Sequence, residues 1–306
     1  MTRRGAREGL LGWALVFPAL ALVGLFTLWP LVQAGISSLY RNDLSTTVPQ
    51  FIGFGNYKAL LGDRVFWKAL CNNLVFALAT VVLSMAIALC FALLAHHARS
   101  GLKPSLQLAW FLPTVIPMVA AANIWLFIYT PSYGLLDGTL KAIVDPVAGL
   151  VGLPGYKDGN WLGNPTSVMP SLIAMYVWKE AGYFMLFFLV GLERIDRQYY
   201  EAARLDGAGN WTVFRRITAP LLMPTALFVL IISCTTAFKT VDHLVIMTQG
   251  GPDNASNLLL YYTYQTAFSF WDIGKASALT VCLLALLSVL IALNLRYFDR
   301  RIHYSD

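Results

Sequence analysis

The stretch CNNLVFALATVVLSMAIALCFALLA, residues 71–95, contains no charged side chain. A helix rises about 1.5 Å per residue, so about 20 apolar residues cross the roughly 30 Å hydrocarbon layer of a membrane. A strand of a membrane barrel would instead alternate apolar and polar residues over about 10 positions, and this stretch does not. The sequence therefore predicts a membrane-spanning helix here.

Five further apolar segments flank this one along the chain. Of the 306 residues, 58% are hydrophobic and 12% are charged, whereas a typical soluble domain carries about 25% charged residues. The segments predict an all-α integral membrane protein with six transmembrane helices. The predicted spans are Leu10–Ile36, Cys71–Ala95, Leu106–Tyr129, Val168–Leu192, Leu221–Met247 and Ala276–Leu295.

The distribution of basic residues predicts the orientation. An even number of spans places both termini on one side of the membrane. If that side is the cytoplasm, 13 of the 22 Lys and Arg residues are inside, 7 are outside and 2 lie within spans. Loops rich in Lys and Arg remain in the cytoplasm, so cytoplasmic termini are favoured. The apolar stretch after Arg3, Arg4 and Arg7 lacks a clean cleavage site and is interpreted as a retained first span.

Two long segments are predicted to lie outside the membrane. Residues 38–70 carry several aromatic side chains, and residues 130–167, here called the outer segment, are rich in Gly, Pro and Asp. The second composition favours turns over spans. Loops of this length often have a function, so the outer segment is either a surface for an outside partner or an irregular linker.

The inner loop, residues 196–220, has the sequence signals of two short helices. Asp196 is a suitable N-cap, and Gly207 suits the left-handed stop of a first helix. Asn210 can cap a second helix, and Pro220 is tolerated where the fifth span begins. We therefore expect two helices hinged at residues 207–209. Their mixed charged and apolar faces fit a groove on a soluble partner, and they also fit an amphipathic hairpin on lipid.

The inner loop resembles a cytoplasmic motif of permeases from binding-protein-dependent ABC importers. That motif begins Glu-Ala-Ala, continues Asp-Gly-Ala, and ends with Phe, Ile and Pro at fixed spacing. The residue before the proline is usually Leu in the family and is Ala219 here. The matching positions are Glu201, Ala202, Ala203, Asp206, Gly207, Ala208, Phe214, Ile217 and Pro220.

Other segments are similar to the carbohydrate-uptake class, especially its maltose-type and glycerol-3-phosphate-type members. They are Gly53–Tyr57 with Phe66–Trp67, Val177–Lys179 and Met247–Pro252. The resemblance implies a type I ABC importer permease fold. It also implies an N-terminal helix and first periplasmic segment over 1–66, a permease core over 67–298 with coupling helices at 196–219, and a cytoplasmic tail over 299–306.

The resemblance further implies a function and a set of partners. The chain would form half of the translocation pathway for a sugar or a polyol, glycerol phosphate included, in a bacterial inner membrane. It would work with a second homologous permease, an ATPase homodimer and a periplasmic or lipid-anchored substrate-binding protein. Glu201 would be the polar anchor in a groove of the ATPase, and Gly207 would form the turn.

ATP hydrolysis is expected on a separate chain. A phosphate-binding loop needs Gly-x-x-x-x-Gly-Lys-Ser/Thr, and the nearest match, Gly274–Ala276, lacks both the leading Gly and the hydroxyl. The four Cys and four His residues have no metal-binding or redox spacing. We therefore expect a transport subunit with no catalytic residue, no metal and no cofactor of its own, while ATP and Mg bind the partner ATPase. No nucleic acid is expected.

Four charged residues interrupt the predicted spans: Lys179 and Glu180 in the fourth, and Lys239 and Asp242 in the fifth. Each costs about 2.5–3.5 kcal/mol at mid-span on insertion scales, so they should face the bundle interior or water. One interpretation is a structural Lys239–Asp242 pair at i, i+3 with snorkelling neighbours. The other is a polar lining for a hydrophilic ligand, with Phe238 available to stack on a sugar.

Two other classes remain open from the residues alone. A secondary transporter often has internal repeats and broken spans that hold acidic ion ligands. Pro113 and Pro117 could break the third span, but no acidic residue lies beside them. A membrane enzyme would need a His or Asp cluster near one membrane face, and no such spacing is recognisable.

Overall fold

The computed structural model describes residues 3–45, 48–151 and 155–298. They form two compact units. One is drawn from Met1–Asp63 and Thr263–Ala285, and the other from Arg64–Tyr262 and Leu286–Asp306. The sequence-based division at 66 and 298 stays a prediction, and the tail 299–306 lies outside the described residues.

The first unit begins with helix α1 (Arg3–Val23), which continues through a π-helical turn (Gly24–Leu28) into α2 (Trp29–Ser37). A short antiparallel pair, β1 (Tyr40–Arg41) and β2 (Gln50–Phe51), leads to α3 (Gly55–Leu61). Its remaining residues, Thr263–Ala285, comprise the end of helix α14 (Leu259–Phe268) and the first half of helix α15 (Ile273–Phe298), the last span.

Contacts near strand β1 fix the start of the last span within the first unit. The backbone N–H of Ile273 donates to the carbonyl of Asn42 at 2.9 Å. Lys275 Nζ lies 2.7 Å from a carboxylate oxygen of Asp63. A side chain at Gly274 would place its Cβ 2.2 Å from the carbonyl oxygen of Tyr40, so only glycine allows this approach.

The second unit is a bundle of helices. Its long members are α4 (Arg64–His97) and α8 (Val168–Glu193), which pack against one another. The other helices, in chain order, are α5 (Lys103–Val115), α6 (Met118–Ile128), α7 (Leu135–Val151), α9 (Arg197–Leu205), α10 (Asn210–Val213), α11 (Ala219–Leu221), α12 (Met223–Lys239) and α13 (Asp242–Met247). Helices α14 (Leu259–Phe268) and α15 (Ile273–Phe298) complete the chain.

Helix α8 is the centre of the second unit because its side chains are buried on most sides. One apolar cluster surrounds Tyr176 and Phe76, and a second surrounds Phe184 and Phe188. Small buried residues of α4 in the second cluster, Ala88 among them, allow helices to approach closely, as is common in membranes. A helix buried all round and rich in apolar residues is the pattern expected of a central membrane span.

The prediction of an all-α protein with six spans is confirmed. Among the described residues, five helices or continuous helix pairs are long and apolar enough to span a membrane, and α5 with α6, bent by 97°, makes a sixth. Most boundaries differ from the prediction by a few residues, and the start of the second span differs most. Helix α4 begins at Arg64, well before Cys71, because four of residues 64–70 are the good helix formers Arg, Lys, Ala and Leu. The fifth span begins at Met223 and not at Leu221.

The expectation of turns throughout the outer segment is wrong for Leu135–Val151, which form helix α7 despite Gly138 and Pro146. Asp137 in the first turn of α7 is fully buried and explains why the segment is ordered. Its carboxylate accepts hydrogen bonds from the backbone N–H groups of Ser132 and Gly159 and from the side chains of Tyr156 and Trp161.

Burial alone would raise the pKa of Asp137, but the four donors together hold that pKa below its ordinary value. A second carboxylate, Asp158, pairs with Lys141 at 2.6 Å and accepts a bond from the Ser132 hydroxyl. These hydrogen bonds, with the Lys141 bond the largest cause, lower the pKa of Asp158 as well. The outer segment is therefore held together by two charged carboxylates.

Candidate functional site

The first helix of the inner loop is capped at its start by Asp196 and is stopped at its end by Gly207 of the motif. Helix α9 starts after Asp196, whose carboxylate accepts a hydrogen bond of 3.0 Å from the backbone N–H of Gln198. The predicted N-cap is thus confirmed. At the other end Gly207 has a φ of +72°, the left-handed conformation predicted for the stop.

The hydrogen bonds around Gly207 form a Schellman motif. The N–H of Ala208 donates to the carbonyl of Ala203 at 2.9 Å, and the N–H of Gly207 donates to the carbonyl of Arg204 at 3.1 Å. Ala203 is buried, with 8% of its surface exposed. The spacing of Ala203, Gly207 and Ala208 in the motif therefore has a local cause, since these residues terminate the helix and turn the chain.

The second helix is capped, and begins, one residue earlier than predicted. Gly209 occupies the N-cap with an extended backbone, and Asn210 is the first residue of α10, so the expectation of an Asn210 cap is wrong. Glycine is accepted at an N-cap, and here it leaves Asn210 free to begin the helix. The helix continues through a π-helical turn (Phe214–Thr218) into α11, which contains Pro220 in its first turn.

The inner loop is anchored on one side and exposed on the other. Tyr200 packs against the apolar cluster around Phe184, and its hydroxyl lies 3.3 Å from that of Thr218. By contrast, Leu205 is 89% exposed and Trp211 is 71% exposed. Large apolar side chains on a protruding loop are typical of an interaction surface.

The structure places the motif residues in three environments. The exposed ones are Glu201, Ala202, Asp206, Gly207 and Pro220. Ala203 is buried, whereas Ala208, Phe214 and Ile217 are half-buried. The Phe214 ring stacks on Trp211 with 5.7 Å between centroids. The motif therefore combines turn-forming residues with a short exposed face on α9.

The intramembrane charges of the fourth span lie in the protein interior. Lys179 is 6% exposed, and its Nζ donates to the carbonyl oxygen of Thr114 at 3.2 Å. The same Nζ lies 3.9 Å from a carboxylate oxygen of Glu180, at the limit of an ion pair. That Lys179 and Glu180 line a pathway stays a prediction.

The fifth span is broken between its two charged residues. Helix α12 ends at Lys239 and α13 begins at Asp242, with an extended backbone at Thr240. The expected helical i, i+3 spacing is therefore wrong, and no ion pair joins the two residues in the part of the chain that the structure describes. Both are exposed, whereas Phe238 is 2% exposed. Their role towards a ligand stays a prediction.

Sequence reasoning missed a buried aromatic group next to this break. His243 is fully buried, and its ring stacks on Phe76 at 5.5 Å between centroids and lies 6.1 Å from Tyr176. Neither imidazole nitrogen has a hydrogen-bond partner among the described residues. The one signal in the sequence for this group is a histidine within an apolar span. Its partners could not be predicted, because Phe76 and Tyr176 lie on two other helices.

A cavity of about 670 Å³ lies between α4, α5 and α8. Its walls are almost entirely apolar and include Phe91, Trp110 and Trp178. A sugar needs hydrogen-bond partners for its hydroxyl groups, which such walls do not supply. This cavity is therefore suited to apolar groups and not to a hydrophilic ligand.

Comparison with known proteins places the chain among transport permeases. Residues 98–304 match the family described as "Binding-protein-dependent transport system inner membrane component". The sulfoquinovosyl glycerol permease SmoG of Agrobacterium fabrum is 32% identical over 94% of this chain and 90% of its own. The sn-glycerol-3-phosphate permease UgpA of the same organism is 31% identical over 96% and 97%, respectively. The lactose permease LacF of Rhizobium radiobacter is 32% identical over 95% and 94%.

A solved structure shares the fold. One chain of the bacterial alginate ABC transporter, in complex with its alginate pentasaccharide-bound periplasmic protein, superposes with a TM-score of 0.81. The match covers 97% of this chain and 96% of the other, at 20% sequence identity. At that identity the likeness supports the same architecture and does not transfer a ligand.

Proposed function

Because the chain belongs to the family of binding-protein-dependent transport inner membrane components and is a permease subunit of an ABC importer, we propose that it imports a sugar or a polyol, glycerol phosphate included. Three relatives at 31–32% identity are named for sulfoquinovosyl glycerol, glycerol 3-phosphate and lactose. Polyhydroxylated molecules, some of them anionic, are the chemistry common to these names.

The inner loop is the proposed contact with an ATPase. The observation that carries this proposal is the capped, exposed helix α9, which is tied to the bundle through Tyr200 and Ala203. A helix stopped by a Schellman motif and anchored in a packed core transmits a displacement to that core, because packed interiors deform little. Glu201 is proposed as the polar anchor, and Leu205 and Trp211 as the apolar contacts.

The proposed assembly contains this permease, a second homologous permease, an ATPase homodimer and an external substrate-binding protein. ATP and Mg are proposed to bind the ATPase alone. The location is a bacterial inner membrane, with both termini and the inner loop in the cytoplasm. The excess of Lys and Arg in the loops on that side supports this orientation.

Reconstituted vesicles test the proposal. We expect uptake of glycerol 3-phosphate or of a sugar to require ATP and the added ATPase subunit. Uptake that persists without the ATPase under an ion gradient would instead identify a secondary transporter.

Replacing Glu201 by Ala tests the coupling contact. We expect the Glu201→Ala subunit to insert and assemble but to lose about ten-fold or more in uptake per ATP hydrolysed, because a hydrogen-bonded charge at an interface is worth about 1.5–3 kcal/mol. The matched control is Lys157→Ala, which removes an exposed charge from the outer segment. Equal uptake per ATP in the Glu201→Ala and Lys157→Ala proteins would contradict the assigned role.

A further inference from the structure

The bend in the third span leaves backbone groups without their usual partners. Helices α5 and α6 meet at Ile116 and Pro117, both of which have an extended backbone. In an unbroken helix the N–H of Met118 would bond to the carbonyl of Thr114, four residues earlier. The break removes that bond, and an unsatisfied carbonyl in the apolar layer of a membrane is strongly unfavourable.

Lys179 supplies the missing partner. Its ammonium donates to the carbonyl oxygen of Thr114 at 3.2 Å, and the Thr114 hydroxyl donates to the carbonyl oxygen of Lys179 at 2.9 Å. The two residues therefore exchange hydrogen bonds in both directions. Lys179 is almost fully buried, so these two hydrogen bonds lie in the protein interior.

Electrostatics favours a cation at this position. The carbonyl ends of α5 point towards the break and carry partial negative charge, which a cation stabilises. Glu180, whose carboxylate lies 3.9 Å from the same ammonium, provides the nearest opposite charge. Lys179 therefore acts as a C-terminal cap for α5 that is provided by another helix.

A second contact one turn away fixes how α5 and α8 align. Gly182 faces the backbone of Trp110, and a Cβ at that position would lie 2.0 Å from the Trp110 carbonyl oxygen. The Lys179–Thr114 and Gly182–Trp110 contacts lie three residues apart on α8 and four on α5. Two such points set both the separation and the register of the helices.

We propose that Lys179 is a positioning residue that holds the bend of the third span, and that it is not a ligand for the transported molecule. A ligand-binding lysine would present its ammonium to the transport pathway, whereas here the side chain is buried and the ammonium donates to a backbone carbonyl. Loss of the contact would let α6 change its angle to α5 and so alter the pathway that the bent span helps to form. The transport part of this inference rests on the proposed function, and the geometric part does not.

The experiment measures the bend directly in the assembled transporter. With Cys71, Cys90, Cys234 and Cys282 replaced by Ala, spin labels at the exposed positions Leu108 on α5 and Phe127 on α6 report the distance between the two half-helices. We expect Lys179→Met to shift or broaden the label distance distribution. Lys239→Met, which removes the exposed intramembrane lysine, serves as the control and should leave it unchanged.

A pair of Thr114 variants keeps the test decisive if Lys179→Met does not assemble. Thr114→Val leaves the Thr114 carbonyl in place but removes, at nearly constant volume, the return bond from the hydroxyl to the Lys179 carbonyl. It should broaden the label distances, whereas Thr114→Ser retains the hydroxyl and should not. The wild-type label distribution in Thr114→Val, and in Lys179→Met if it assembles, would overturn the proposal.

Kinetics separates positioning from ligand binding. For Lys179→Met we expect kcat for uptake to fall about ten-fold with little change in KM, since misplacement of a pathway element slows turnover without removing a ligand contact. Unchanged label distances together with a raised KM for glycerol 3-phosphate, but not for maltose, would make Lys179 an anion ligand instead. If neither probe is imported, the proposed substrate class fails, and the label distances still decide the role of Lys179.

Discussion

Gly207 is the residue on which the shape of the inner loop depends. Its φ of +72° lies in the left-handed region, and a Cβ there would meet no atom within 4 Å. The free-energy cost of a larger residue at this position therefore comes from the backbone conformation and not from steric clashes. Left-handed backbone costs roughly 1–2 kcal/mol for a residue other than glycine.

Gly207→Ala should weaken the Schellman stop of α9 and reduce uptake per ATP hydrolysed about five-fold or more, in line with roughly 1–2 kcal/mol of strain. Gly101→Ala is the matched control, because Gly101 also has open space around it and no left-handed backbone. Both proteins are compared by uptake and ATP hydrolysis in vesicles. The same loss in both variants would show that Gly207 has no special role.

Helix caps and stops could be predicted from the sequence, whereas contacts between distant helices could not. The Asp196 cap and the Gly207 stop could be predicted because each depends on a few neighbouring residues. The partner of Lys179 could not, since Thr114 is 65 residues away and the contact depends on the register between two helices. Helix α7 was missed because its Gly138 and Pro146 suggest turns, whereas the hydrogen bonds to Asp137 come from residues outside the helix.

At the scale of elements, glycine has opposite effects in two helices. Gly182 allows α8 to approach α5, and a Cβ would collide with backbone atoms that cannot move aside easily. Gly138 in α7 has open space around it. The first glycine is required by packing, whereas the second only lowers helix propensity.

We therefore expect Gly182→Ala to lower the midpoint of thermal unfolding, through overpacking of about 1–3 kcal/mol or more. Gly138→Ala should raise the stability of α7 by about 0.5–1 kcal/mol. Unfolding of the purified protein in detergent, followed by circular dichroism, checks the first change, and hydrogen exchange in α7 checks the second. Similar unfolding midpoints for wild type and Gly182→Ala would rule out the close helix contact.

The outer segment should be sensitive to acid. The lowered pKa of Asp137 means that its carboxylate stabilises the fold above the ordinary pKa of 3.8, and this contribution is lost as pH falls through the lower folded value. Protection factors for hydrogen exchange across α7, which correct for the slower intrinsic exchange of amides in acid, should therefore fall steeply only below about pH 4.

Asp137→Asn should remove most of this pH dependence and raise exchange in α7 already at neutral pH, because the buried acceptor for four donors loses its charge. Asp253→Asn is the control, as Asp253 is a highly exposed carboxylate paired with Lys68 elsewhere in the same unit. An unchanged pH profile in the Asp137→Asn protein would contradict the assignment.

At the scale of the whole molecule, the order of spans makes a prediction about sides of the membrane. One span, α8, separates the outer segment from the inner loop. Single cysteines at Tyr133 and Leu205, both highly exposed, should therefore react with impermeant reagents from opposite sides. In intact cells we expect Tyr133→Cys to be labelled and Leu205→Cys to react only after the membrane is opened. Labelling of Leu205→Cys in intact cells would reverse the proposed orientation.

The exposed Leu205 and Trp211 have a consequence for biogenesis. A copy of this subunit made in excess presents two large apolar side chains to water, much as a partly unfolded protein does, and quality-control proteases recognise such features. Surplus copies should accordingly be short-lived until another protein covers these side chains. The amount of the subunit in a cell would then follow the supply of its neighbours and not its own rate of synthesis.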